Sequence, residues 1–236
     1  MNLSRQRDLV PPGTIDEMRF VLIGAGGLGS NLFHTLISLG AREIKIFDHD
    51  RVEEENLAPG WFFHESLGLY KPDALLAQAQ WTFNDDFPGI VPVAQKYSDQ
   101  IIDPDILFIT VDSIVVRRTI WENRTFTPKW WIDGRMGWDQ CSAWCIDPSN
   151  PEDCDWYEKN LEGRDEPMPC GEKATAFLTK GIAQGFLGTM LYRIANKWPV
   201  PHNLFWKAGP INTRVIEAAP GPIFGMEQGT AKCMQP

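Results

Sequence analysis

RFVLIGAGGLGSNLFHTLISLGAREIKIFDHD, residues 19–50, changes its hydrophobic period twice, and those changes decide the fold class. Residues 19–24 form an apolar run of the kind that a strand buried on both faces requires. Glycines follow at 24, 26, 27 and 29. Leu32, Phe33, Leu36 and Ile37 then recur at helical spacing between Ser30 and Leu39, and Gly40 supplies a stop. Glu43–Phe47 reads as a second short strand ending in the acidic FDHD of residues 47–50.

Gly24-x-Gly26-x-x-Gly29 stands where a grip on phosphate needs it. The first glycine permits the tight turn, the second lets backbone approach phosphate oxygens, and the third lets the helix pack close to the strand. Free N–H groups at the helix start then face the anion. The loop lacks the Gly-Lys-Ser/Thr ending of a Walker loop. Asp48, about 20 residues past the glycines, is placed to accept hydrogen bonds from ribose hydroxyls. The glycines and Asp48 alone fit an NAD-dependent oxidoreductase as well as an ATP enzyme.

The alternation continues outward. Pro72 can open a helix through Leu75, Leu76 and Ala79. Residues 89–94 and 105–111 read as strands, 113–124 as a helix and 129–133 as a further strand. This pattern predicts an α/β fold with a Rossmann-like, mostly parallel sheet and helices on both faces. From Met136 the pattern changes. Residues 141–146, 203–209 and 213–219 predict antiparallel additions, which bracket a polar, mobile stretch (148–173) and a long helix from Ala174. A single domain is expected over 1–236: a nucleotide-binding half (1–135), a partner-facing half (136–219) with a crossover loop at about 148–173, and a tail (220–236).

With 22 basic and 31 acidic residues the net charge is -9, which argues against nucleic-acid and anionic-membrane partners. Residues 1–13 lack the apolar core of a signal peptide. Lys180, Gln184 and Arg193 interrupt the apolar run 174–195, so it reads as a core helix and not a membrane span. Five irregularly spaced cysteines do not form a secreted disulfide framework. A cytoplasmic protein is expected.

Residues further along separate the nucleotide classes. Asp48, Asp50, Val52, Asn56 and Leu57 follow the glycines, then Lys71 in GLYKPDA, then Asp112 after ILFITV. From about residue 4 to 195, this spacing resembles the ThiF/MoeB-like adenylyltransferases, bacterial relatives of ubiquitin-activating enzymes. The family pattern is Gly-x-Gly-Gly-x-Gly, Asp-x-Asp-x-Val-x-x-x-Asn-Leu, a lysine, and a later aspartate. The resemblance implies ATP-dependent adenylation of the C-terminal carboxylate of a small ubiquitin-like or sulfur-carrier protein. It assigns Gly24, Gly26, Gly27, Gly29, Asp48, Asp50, Asn56 and Lys71 to the nucleotide, with Lys71 on phosphates and Asp112 on magnesium. The segment LSRQ (3–6) resembles one whose arginine enters the other subunit's site, which makes Arg5 a trans-acting candidate and implies a homodimer.

Two departures qualify that expectation. The family usually has an arginine shortly after Asn-Leu, where this chain has Pro59 and Gly60. Loss of one transition-state charge contact costs roughly 10²–10³ in rate unless something replaces it. Arg51, Arg5 and, above all, Arg135 are the candidate replacements. The alternative expectation is therefore a weakened or inactive nucleotide-binding or assembly subunit. Many relatives also carry paired Cys-x-x-Cys motifs for zinc. Here Cys141 and Cys145 are spaced too widely, and Cys154, Cys170 and Cys233 stand alone, so zinc is not expected. Cys141 and Cys145 point to one face of a strand and read as small buried hydrophobes. Cys170 lies where the family often places a cysteine over the active site, able to take the activated acyl group. A helix N-terminus and Lys173 would favour its thiolate; the alternative is a structural thiol.

Overall fold

The strands are β1 (Arg19–Ile23), β2 (Glu43–Phe47), β3 (Ile90–Val93), β4 (Ile106–Ile109), β5 (Trp130–Met136), β6 (Gln140–Ile146), β7 (Asn203–Lys207) and β8 (Arg214–Ile216). They hydrogen-bond into one sheet in the order β3-β2-β1-β4-β5-β6-β7-β8. The computed structural model describes residues 4, 9–98, 103–137, 140–162, 177–207 and 214–216. The first five strands in that order pair in parallel; β6, β7 and β8 add on antiparallel. The α/β, Rossmann-like sheet read from the periodicities is therefore present, together with its antiparallel C-terminal additions.

Among the described residues six α-helices accompany these strands: α1 (Gly27–Ser38), α2 (Glu54–Leu57), α3 (Lys71–Phe83), α4 (Ile114–Glu122), α5 (Pro151–Lys159) and α6 (Phe177–Ala195). Because strand side chains alternate, β1, β2, β4, β5 and β6 each feed two cores. Phe20, Leu22, Ile44, Ile46 and Phe108 pack with α1, α3 and α6 residues such as Leu32, Leu75 and Leu187. Val21, Ile23, Leu107, Ile109 and Trp131 face the other way, toward Ile120 and Trp121 of α4 and Tyr157 of α5. Each such side chain, fully buried, contributes about 1.5–3 kcal/mol. Cys141 and Cys145 are both buried in the first core, and burial pushes the Cys141 thiol up to about 11.

The chain runs from β1 outward through β2 to β3, then returns to β4 on the other side of β1. This reversal opens a crevice at the carboxyl ends of β1 and β4, where open α/β sheets bind ligands.

The stretch expected to be polar and mobile from 148 to 173 differs in its first part. Residues 151–159 form α5. Asn150 accepts from the Glu152 amide, Pro151 takes the first turn, and Glu152 and Asp153 place acid there, all favourable at a helix N-terminus. Polarity was the wrong guide, because only one side of α5 is buried. Among the described residues, no helix is long and apolar enough to cross a membrane.

Candidate nucleotide site at the carboxyl end of the sheet

The three fingerprint glycines meet different surroundings. Gly24 has φ +97°, a conformation other residues rarely adopt, and a Cβ there would lie 2.9 Å from Thr110 backbone. A Cβ on Gly29 would lie 2.0 Å from the Gly24 carbonyl oxygen and 2.6 Å from Thr110 Oγ1. Those two glycines seal the turn against β4. A Cβ on Gly26, which immediately precedes α1, would meet nothing within 4 Å. The space a ligand's phosphate would need is open there, and a 12-residue helix begins behind it.

Hydrogen bonds hold this turn from both flanks. The Gly24 amide donates to Phe47 O (2.9 Å), and Thr110 Oγ1 donates to Gly24 O (2.7 Å). Asp48 Oδ2 accepts from the Ala25 amide at 2.7 Å, and Oδ1 accepts from the Asp50 amide at 2.8 Å. Each oxygen keeps a second lone pair, so the carboxylate can still accept from hydroxyls.

Lys71 is buried along its stem and pairs its Nζ with Asp50 Oδ2 at 3.0 Å. Its amide also donates to Asp50 O, and the neighbouring residues Arg51 and Tyr70 form a β-bridge. The structure thus brings Gly24–Gly29, Asp48, Asp50 and Lys71 into one hydrogen-bonded unit. His49 joins this group: ligand atoms of Asp48, His49 and Asp50 lie within 4.8 Å of one another. Asn56 has a local role, accepting from the Glu53 amide at 3.1 Å in a capping box that starts α2. Asp112 follows β4, at the same end of the sheet as the glycine turn. Arg5 and Cys170 lie outside the described residues, as do Cys233 and Lys173.

Pro59 occupies the shoulder of the glycine helix. Its carbonyl accepts from Asn31 Nδ2 at 2.9 Å, and its Cβ lies 3.2 Å from where a Gly27 Cβ would stand. The position is thus filled by an apolar ring packed on the first turn of α1. The two described candidates for a replacement cation are both engaged elsewhere. Arg51 lies over the Tyr70 ring and donates to Gly68 O. Arg135 donates to Asp133 Oδ2 (2.9 Å) and to Asn160 O (2.9 Å), with Trp144 against its guanidinium. Burial lowers the Arg135 pKa from its usual value, opposed by nearby Tyr157.

Sequence reading missed Arg117, Asp133 and Tyr157. Asp133 is wholly buried on β5, Arg117 of α4 ion-pairs its Oδ1, and the Tyr157 hydroxyl donates to its Oδ2 at 2.8 Å. The one available signal was a carboxylate inside the apolar run KWWID, because a buried charge must find a partner.

Residues 12–218 match the ThiF family. The NEDD8-activating enzyme E1 catalytic subunit of Arabidopsis thaliana is 33% identical over 133 residues, 50% of this chain and 29% of that protein. The chain therefore spans less than a third of that relative's length. The crystal structure of E. coli MccB with ATP superposes with a TM-score of 0.63 at 16% identity, covering 87% of this chain and 66% of that one. E. coli MccB with MccA gives 0.61 at 15% identity, and PaaA gives 0.62 at 12%, each with the same coverage. At these identities the likeness is one of fold.

Proposed function

Because this chain belongs to the ThiF family, we propose that it uses ATP to adenylate the terminal carboxylate of a small protein or peptide, a ubiquitin-like or sulfur-carrier protein being the expected substrate. The observation that carries the reading is the open face of Gly26, flanked by Gly24 and Gly29 sealed on Thr110. Around it stand a ribose-type acceptor, Asp48, and a cation, Lys71, held by Asp50. Support also comes from the relatives. One is an E1 catalytic subunit, and MccB has been solved both with ATP and with MccA.

In the proposed step a carboxylate oxygen attacks the α-phosphorus of ATP and the bond to pyrophosphate breaks, leaving an acyl adenylate. Such transfer rests on positioning and charge neutralisation. The glycine turn would align the phosphates, Asp48 would hold ribose, and Lys71 would offset developing charge on phosphate oxygens. Magnesium, if held by Asp112, would screen the same oxygens. On this reading the active species is a homodimer in which Arg5 serves the opposite site and Cys170 is available to accept the acyl group. The NAD-dependent reading draws no support from the family match.

Pro59 favours a second reading, in which binding persists while turnover is weak. Calorimetry and carrier-dependent ATP–pyrophosphate exchange separate the two. We expect magnesium-dependent ATP binding by the wild type, with exchange reduced roughly 10²–10³-fold in Lys71→Ala and in Asp112→Ala. Binding without exchange, across ubiquitin-like and peptide substrates, selects the assembly-subunit reading. A folded protein that binds no ATP ends both.

A further inference from the structure

Arg117, Asp133 and Tyr157, all buried, form with half-buried Arg135 a cluster that lies against the segment carrying Asp112. Removing a carboxylate from water costs several kcal/mol, and a buried ion pair gives little net stability over an apolar substitute. Asp133 nevertheless receives Arg117 on Oδ1, and Arg135 Nη2 (2.8 Å) and the Tyr157 hydroxyl on Oδ2. The destination of the other arm of Arg117 is informative. Its Nη2 donates to Val111 O, the carbonyl just before Asp112, and to Gly134 O at 3.0 Å.

We propose that the Arg117–Asp133 pair is a latch that positions Asp112. The regular pairing of β4 with β5 ends at Ile109 and Asp133. Beyond it, Thr110 is tied to β1, donating its amide to Ile23 O at 2.9 Å. Val111 leaves the sheet and needs a new partner for its carbonyl. Arg117 supplies that partner, and its own place is fixed because Asp133 holds the other nitrogen. On the far side of Asp112, Ser113 caps α4 by accepting from the Val116 amide at 3.2 Å, and Arg117 N donates to Ser113 O. Asp112 is thereby pinned on both sides by one turn of helix and one guanidinium. Lysine could keep the charge but not the fork, because one ammonium cannot span a carboxylate and two carbonyls in fixed directions. The latch rests on the adenylation reading only for the use made of Asp112.

Two readouts on Arg117→Lys test it. Hydrogen exchange should rise about tenfold or more in the 110–114 segment while β1 and β2 keep wild-type protection. Calorimetry should show the magnesium-dependent gain in ATP affinity falling about 10–100-fold, with affinity in the absence of magnesium unchanged. Wild-type exchange at 110–114, or exchange raised equally in all strands, overturns the latch. So does an equal loss of affinity with and without magnesium. If Arg117→Lys does not fold, Asp133→Asn, which preserves shape and removes the charge that holds Arg117, is judged by the same two contrasts. A wild type that binds no ATP refutes the adenylation reading by itself, and local exchange then decides the latch alone.

Discussion

A methyl group on Gly29 would be driven into the Gly24 carbonyl, whereas one on Gly26 would project into open space. The same substitution should therefore fail for opposite reasons at the two positions. Gly29→Ala should cost roughly 3 kcal/mol of stability through overpacking, read as a lower denaturation midpoint. Gly26→Ala should keep the wild-type midpoint and lose ATP affinity, read by calorimetry. Equal midpoints for both variants would contradict the sealed turn. At this scale the glycines, Asp48 and Lys71 were legible because their spacing follows a known family pattern, and the fold joins them in one hydrogen-bonded unit. Arg117 and Asp133 were not, because α4 and β5 meet only through the fold, and nothing in their separation of 16 positions marks them as a pair.

Elements were read well where one period dominates. β1, α1, β2, β4 and α4 follow directly from apolar repeats, and Pro72 falls in the first turn of α3 as its chemistry requires. The helix α5 was lost inside a polar stretch because Asp153 and Tyr157 supply most of its buried face and the rest is solvated. Its signals were at the start: Asn150, Pro151, then two acids. Asn150→Ala should remove the cap bond to Glu152 and its amide contact with Asp153, costing about 1 kcal/mol in chemical denaturation. Asn150→Asp should retain most of the cap. An Asn150→Ala protein as stable as wild type would show that packing alone fixes this helix.

For the molecule as a whole, the strand order places the glycine turn, Asp48 and Asp112 along one end of the sheet, although they are spread over 89 positions of sequence. His34 adds a dependence on pH. Its ring stacks on Trp61 (centroids 4.5 Å apart), and burial lowers its pKa below the ordinary 6.5. As pH falls, the unfolded chain takes up this proton first. Stability is therefore intact above about 6.5, declines as pH drops below it, and levels off once the folded form also protonates. The urea midpoint should fall between pH 7 and 5, and fall less in His34→Gln. Above pH 5 the effect is separate from that of Asp85 and Asp105, whose carboxyls are held below 3.8 and act only in stronger acid.

The aromatic residues around Asp133 have one further consequence. Trp131 Nε1 donates to the Tyr157 hydroxyl (3.2 Å), which donates to Asp133, and Trp121 stands edge-on to Trp131 with ring centroids 4.9 Å apart. Trp131 is thus linked through Tyr157, Asp133 and the Arg117 ion pair to the turn that carries Asp112, and Trp121 is coupled to it by ring contact. Near-ultraviolet circular dichroism, which senses the mutual orientation of such rings, should register movement of that turn with no added label. The protein therefore has its own optical gauge, connected through Asp133 and Arg117 to the turn at the carboxyl end of the sheet.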